Sequence, residues 1–252
     1  MTGSADVSTV AEHVAAAGLT HVWLLPEQSV DSFAAGLGGT RLLTEDERAR
    51  MDRLLTAPLR RRFLARRLLC RYALSDRTGR PLDHWRFRAG RHGRPEAEPD
   101  DDGMRFSLSH TEGLIVCAVT QGRLCGADVE RLPTTSETTD YVSRYFAADE
   151  RAELAALTPA GRIARGSELW VLKEAYLKAL GTGLHRSLDG FSFAVQPAGR
   201  PGRISVNDPE LRERPGDGWS FELLHPGPEH ILAIAVEGTH SGALQRTDLS
   251  GI

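Results

Sequence analysis

Glu174 and Lys178 stand four residues apart in Trp170-Val-Leu-Lys-Glu-Ala-Tyr-Leu-Lys-Ala-Leu-Gly-Thr-Gly-Leu184, a stretch that reads as one helix closed by a Gly turn. That spacing puts both side chains on one helix face. Upstream, Asp128 and Glu130 alternate within Gly126-Ala-Asp-Val-Glu130 as on a strand, so their carboxylates point the same way. Three carboxylates able to converge, with a lysine beside one of them, suit a hard divalent cation that holds a phosphate ester. Each pair alone has a plain reading. Asp128 and Glu130 suit an exposed edge strand, and Glu174 with Lys178 suits an ordinary surface ion pair.

The elements needed to position these residues are legible in outline. The chain has 252 residues, 40% hydrophobic and 26% charged, which is a globular balance. A net charge of −3 gives no basic field for nucleic acid, although arginine is dense between Arg48 and Arg94. Cys70, Cys117 and Cys125 show neither C-x-x-C nor metal spacing and suit a reducing cytoplasm. No leader and no membrane span is expected. Residues 1–20 read as a variable extension and His21–Leu25 as the first strand. Thr44-Glu-Asp-Glu47 is a capping box that opens a helix expected to end near Ala57. A second helix is expected over Arg60–Ser75.

Asp100-Asp101-Asp102 reads as a solvated turn rather than a metal site. Strands follow over Met104–Ser109, Leu114–Thr120 and Leu124–Val129. Helices are expected over Tyr141–Phe146, Asp149–Leu157 and Arg162–Leu180. Strands near Phe191–Val195, Ser220–Leu224 and Ile231–Val236 complete the core, with turns at Pro197–Gly202 and Pro215–Gly218 and a loose tail from 238 to 252. Gly181-Thr-Gly183 follows a helix and lacks the G-K-[ST] ending, so it is a helix cap and not a P-loop.

The motif W-x-x-K-E-A-x-x-K-x-x-G-x-G, preceded by G-x-D-x-E, resembles the Sfp-type 4′-phosphopantetheinyl transferases. Phe106-Ser-Leu-Ser-His-Thr111, His92-Gly-Arg-Pro95 and Arg62-Phe-Leu-Ala-Arg-Arg-Leu-Leu69 match further family segments, in family order. The resemblance implies an α+β fold of two similar halves related by a pseudo-twofold, with the coenzyme A cleft between them. The halves fall at 21–122 and 123–237. It implies an Mg²⁺-dependent transfer of the phosphopantetheine arm of coenzyme A to a serine of an apo acyl or peptidyl carrier protein, releasing 3′,5′-ADP. Asp128, Glu130 and Glu174 would hold the metal, and Glu174 and Lys178 would carry the proton transfers. Arg48, Arg50, Arg62, Arg94, Ser109, His110 and Lys173 would contact coenzyme A. A cytoplasmic monomer is expected.

One departure stands out. The family helix often has Gly before its inner arginine, where this chain has Arg66, which either crowds the ligand or adds a phosphate contact. The alternative function is a non-catalytic coenzyme A or nucleotide-binding module, which would need neither the carboxylates nor Lys178. Another Mg²⁺-dependent phosphoryl or nucleotidyl transferase is disfavoured by the absence of a P-loop or kinase signature.

Overall fold

The computed structural model describes residues 19–100, 102–195, 204–210, 218–238 and 244–251. Strand β1 (Thr20–Pro26) leads into helices α1 (Val30–Leu37), α2 (Glu45–Asp52) and α3 (Ala57–Thr78). Strands β2 (Arg86–Ala89), β3 (Pro95–Glu98), β4 (Met104–Thr111) and β5 (Leu114–Gln121) follow. The same sequence of elements then returns. Strand β6 (Cys125–Arg131) leads into α4 (Ser136–Ser143), α5 (Ala148–Ala155) and α6 (Pro159–Leu180). Strands β7 (Ser192–Val195), β8 (Ile204–Asn207), β9 (Trp219–Gly227) and β10 (His230–Glu237) complete it, and β11 (Leu244–Asp248) is added last.

The recurrence extends to topology. In each unit the first strand pairs antiparallel with the last, which pairs with the one before it: β1-β5-β4 and β6-β10-β9. In each, β2-β3 or β7-β8 makes a separate two-stranded ribbon. The long helices α3 and α6 both have 22 residues, a Thr N-cap (Thr56, Thr158), a proline in the first turn and a left-handed Gly C-cap (Gly79, Gly181).

Each long helix also buries one cation against the glutamate that caps a preceding short helix. Arg71 Nη2 meets Glu47 Oε2 at 2.6 Å, while Glu47 accepts the backbone N–H of Thr44. Lys173 Nζ meets Glu150 Oε2 at 2.8 Å, while Glu150 accepts the backbone N–H of Ala147. Both cations are fully buried. The letters of the two halves do not reveal this repeat, because arginine stands in one and lysine in the other.

Strand alternation divides the core. Trp23, Leu25, Ile115, Cys117 and Val119 face α3, while Val22, Leu24, Val116 and Ala118 face Ala127, Val129 and Ile234 of the other sheet. Because both faces of β5 are covered, Leu114–Thr120 is apolar at nearly every position and fully buried. The third cluster packs α6 on β10 through Leu172, Ala175, Tyr176, Ile231 and Ala233.

Several boundaries differ from expectation. The first helix stops at Asp52, and Pro58 opens the next one instead of ending the former. The helix expected at Tyr141–Phe146 lies earlier, at Ser136–Ser143, under a Thr135 cap. The expected tail contains β11, which runs parallel to β1 with Thr20 opposite Leu244, and Leu249 behind it is fully buried. Leu-Gln-Arg-Thr-Asp has the polar pattern of an edge strand and no apolar run to announce it. Asp100 and Asp102 pair with Arg105 and Arg80, in keeping with a solvated turn. Asp101, the turn expected at 197–202, residues 215–217 and residues 1–18 of the N-terminal segment lie outside the described residues. No described helix is long and apolar enough to cross a membrane.

Candidate active site

The site forms where β6 lies between α6 and β4. Gly126 sets the distance. A Cβ there would stand 1.8 Å from the carbonyl oxygen of Ala175, so only glycine lets α6 sit this close to the strand. Two residues further along, Asp128 faces that helix. On the other side β6 has an edge that no strand of its own sheet covers. Two serine hydroxyls of β4 close it: Ser107 Oγ accepts the Ala127 N–H (3.0 Å) and Ser109 Oγ accepts the Val129 N–H (3.3 Å). The two halves are thus stitched at the position of the carboxylates.

Asp128 Oδ1 accepts from Lys178 Nζ (2.6 Å) and from Ser109 Oγ (2.9 Å). Lys178 Nζ also donates to Ser109 Oγ at 2.9 Å. Asp128 Oδ2 and Glu174 Oε1 are buried and have no partner. Glu130 Oε1 accepts from the indole N–H of Trp170 at 3.1 Å. All three carboxyls are held above their ordinary range. Burial does most of this for Asp128, whose nearby Lys178 only partly offsets it. Burial and the Asp128 charge raise Glu130. Burial, then Asp128 and to a lesser extent Glu130, push Glu174 up to about 7 against the pull of Lys178. The three therefore feel one another's charge.

They do not form a closed cage, since among the described residues no trio of His, Cys, Asp or Glu stands ready-made at metal-binding distances. Two buried carboxylate oxygens without donors, in a cluster of mutually repelling acids, nevertheless fit a hard cation. Mg²⁺ in particular takes one or two carboxylates and completes its shell with water and phosphate oxygens.

Beyond Lys178 opens a cavity of about 220 Å³ between the halves, lined by Arg66, His92, Arg94, Leu177, Lys178 and Gly181 among others. Arg94 spans it, donating to the carbonyls of Ala179 (2.7 Å) and Cys125 (3.2 Å) and so clamping the end of α6 to β6. His110, on β4, is pushed below the ordinary histidine range by burial first and then by Arg66, Arg62 and Lys178. At the margin His92 and His185, from opposite halves, bring their rings to 4.7 Å.

The structure thus brings Asp128, Glu130, Glu174, Lys178, Ser109, His110 and Arg94 into one region. Two expected ligand contacts are corrected. Lys173 points away from the cleft, fully buried, donating to Glu150 and to the carbonyls of Leu188 (2.8 Å) and Phe191 (2.7 Å). All three of its protons have acceptors inside the protein, so none is left for a phosphate. Ser109 gives its one proton to Asp128 and accepts from Val129 and Lys178, so it organises the carboxylate rather than the ligand.

Arg62 is bonded to Glu27, which also accepts the Gly113 N–H at 3.0 Å. Arg48 and Arg50 are exposed on α2, and no described contact links them to the cavity. Trp170 packs against the core of its half and in addition holds Glu130 through its indole N–H; only its place in the motif hinted at this second role. Ser107 left a signal in its alternation with Ser109 along β4.

The model of the 4′-phosphopantetheinyl transferase superfamily matches residues 124–235. The 4′-phosphopantetheinyl transferase HetI of Nostoc sp. is 30% identical over 220 residues, covering 86% of this chain and 87% of that protein. The 4′-phosphopantetheinyl transferase Sfp of Bacillus subtilis is 26% identical over 162 residues, covering 60% of this chain and 69% of that protein. Among solved structures, a holo-(acyl-carrier-protein) synthase from Bacillus anthracis in complex with CoA (3′,5′-ADP) is 21% identical. It covers 46% of this chain and 96% of that one with a TM-score of 0.36, a likeness too loose to bear on the arrangement of the site.

Proposed function

The chain belongs to the 4′-phosphopantetheinyl transferase superfamily, and we propose on that premise that its cleft runs the family's transfer with Asp128, Glu130, Glu174 and Lys178. The donor is coenzyme A and the acceptor a serine hydroxyl of an apo carrier protein. The serine Oγ forms a bond to the phosphorus that bears the pantetheine. The bond from that phosphorus to the bridging oxygen breaks, and 3′,5′-ADP departs with the electron pair.

The observation that carries this reading is the pair of buried, donorless oxygens on Asp128 and Glu174 beside Lys178. Asp128, Glu130 and Glu174 would hold Mg²⁺, which when bound supplies charge stabilisation to the pyrophosphate. Glu174, poised near neutrality, suits the acceptor of the serine proton. Lys178 is fixed by Asp128 and Ser109 with one N–H left for the departing phosphate. Trp170 orients Glu130, and Arg94 keeps α6 against β6. A binding module would need none of this.

The carrier would dock on the half bearing α4. Tyr141, Tyr145 and Leu184 are exposed large apolar residues there, and Arg144 beside them is exposed too. Phe146, next in the chain, is fully buried and belongs to the core instead. Carrier helices of acidic character would meet both charge and apolar surface. The test is release of 3′,5′-ADP from coenzyme A on incubation with an apo carrier. Release that needs both carrier and Mg²⁺ is expected; release without carrier, or none with any of several carriers, contradicts the reading.

A further inference from the structure

Helix α3 carries seven arginines; Arg77 lies in the last turn near His21 and outside the cavity, and the others stand at 60, 61, 62, 66, 67 and 71. Five of them have acceptors. Arg60 donates to the Leu54 carbonyl and Arg61 to Asp31, Arg62 is bonded to Glu27, and Arg67 and Arg71 share Glu47. Arg66 makes no hydrogen bond or ion pair among the described residues. It is nevertheless half-buried, in the wall of the cavity that Lys178 and Arg94 line from the other side.

No Asp or Glu is among the residues lining that cavity. Burial and neighbouring Arg67 weaken the hold of Arg66 on its proton, and its charge in turn bears on His110. A partly desolvated guanidinium set opposite two other cations opposes folding, because its lost hydration is repaid by nothing in the chain. It is accounted for by a ligand that carries the missing negative charge.

The neighbouring cations do not leave that ligand to chance. Lys178 is committed to Asp128 and Ser109, and both terminal nitrogens of Arg94 are engaged by carbonyls. Arg66 alone presents its whole fork. A planar fork pairs best with two oxygens of one phosphate. Coenzyme A offers two kinds of phosphate. The pyrophosphate is the reacting group and belongs with the carboxylates and Lys178. The other is the 3′-phosphate monoester, a terminal dianion that suits a wall lined by cations and free of carboxylates.

We propose that Arg66 is a specificity-determining residue that binds the 3′-phosphate of coenzyme A, so that this chain tells coenzyme A from its 3′-dephospho form. That the phosphate is the 3′-phosphate of coenzyme A rests on the transferase reading; that Arg66 takes a terminal phosphate monoester rests on the cation-lined wall alone. At this position the resemblance leads one to expect glycine, so the contact belongs to this chain's own sequence.

Calorimetry with adenosine 3′,5′-bisphosphate and adenosine 5′-monophosphate, on wild type, Arg66→Ala and Arg66→Lys, measures the contact without turnover. Loss of a charge-assisted fork should raise the Kd of the bisphosphate by roughly 10- to 100-fold in Arg66→Ala. The monophosphate should change by less than about 2-fold by the same reasoning, and Arg66→Lys should recover part of the loss. Thermal melts confirm that the variants are folded, and Arg66→Gln replaces Arg66→Ala if the latter is not. In the transfer assay kcat/KM for coenzyme A should fall in parallel through KM, with kcat and the use of dephospho-coenzyme A unchanged. Equal weakening of both nucleotides, or of neither, overturns the proposal. A wild-type protein that prefers the bisphosphate through Arg66 but transfers nothing would refute the transferase reading and leave Arg66 standing.

Discussion

Replacing Glu174 by Gln should make the metal-free protein more stable at alkaline pH while lowering its activity by roughly 10²–10⁴-fold. Glu174 is raised from 4.5 to about 7 by burial and by Asp128 and Glu130. In the unfolded chain the carboxyl ionises first, so folding carries a penalty that is absent below pH 4.5. The penalty grows between there and about 7, and is complete above. At about 1.4 kcal/mol per pH unit it is on the order of 3 kcal/mol. Gln keeps the shape, removes the charge and places an N–H₂ among acceptors. We expect a gain of about 2–3 kcal/mol at pH 8, or roughly 4–10 °C in Tm for a chain of this size. At pH 5 most of that difference should vanish. The assay is thermal denaturation of both proteins in chelator at pH 5 and pH 8, then with Mg²⁺. Mg²⁺ should raise the Tm of wild type by mass action and that of the variant much less. A variant less stable than wild type by the same amount at both pH values would show instead that Glu174 is satisfied rather than repelled.

Other perturbations separate the roles. Lys178→Ala should lower kcat by roughly 10²-fold or more, as loss of a group that stabilises developing charge does. Its Tm should change little with Mg²⁺ present; an unchanged kcat would show that Lys178 only neutralises Asp128. Gly126→Ala should destabilise by more than about 3 kcal/mol, because its methyl meets the Ala175 carbonyl rather than a movable side chain. A denaturant midpoint near that of wild type would mean that α6 shifts freely. Lys173→Met should cost about 3–5 kcal/mol by leaving Glu150 buried and unpaired, and Lys173→Met with Glu150→Gln should recover much of it. Folded Lys173→Met should keep the wild-type KM for coenzyme A; a rise in KM alone would return Lys173 to the ligand.

Where residue type and period coincide with a single role, the sequence could be read. Alternation placed Asp128 and Glu130 on a strand, helical spacing placed Glu174 beside Lys178, and the Thr44 capping box opened a helix that the structure contains. What could not be read depends on which way a helix is rolled. Lys173 and Glu174 are adjacent in sequence, yet about 100° apart around the helix, so one enters the core and the other the cleft. Ser109 looked like a ligand contact because a hydroxyl's partners cannot be counted before β4 and β6 are side by side. Strand β11 escaped because a polar edge strand resembles a tail. The duplicated ion pairs, Arg71–Glu47 and Lys173–Glu150, escaped because they repeat a geometry and not a word.

If the carboxylates on β6 and α6 carry the proposed transfer, a carrier serine gains phosphopantetheine only where they are intact. Intact-mass spectrometry of an apo carrier, incubated with coenzyme A, Mg²⁺ and either wild type or Glu174→Gln, reads this out. Wild type should add one phosphopantetheine to the carrier serine. None should be added when that serine is alanine or when Mg²⁺ is chelated, and Glu174→Gln should lower the rate by roughly 10²–10⁴-fold. A carrier left unmodified by wild type, or modified as fast by Glu174→Gln, would contradict the proposed role of the carboxylates.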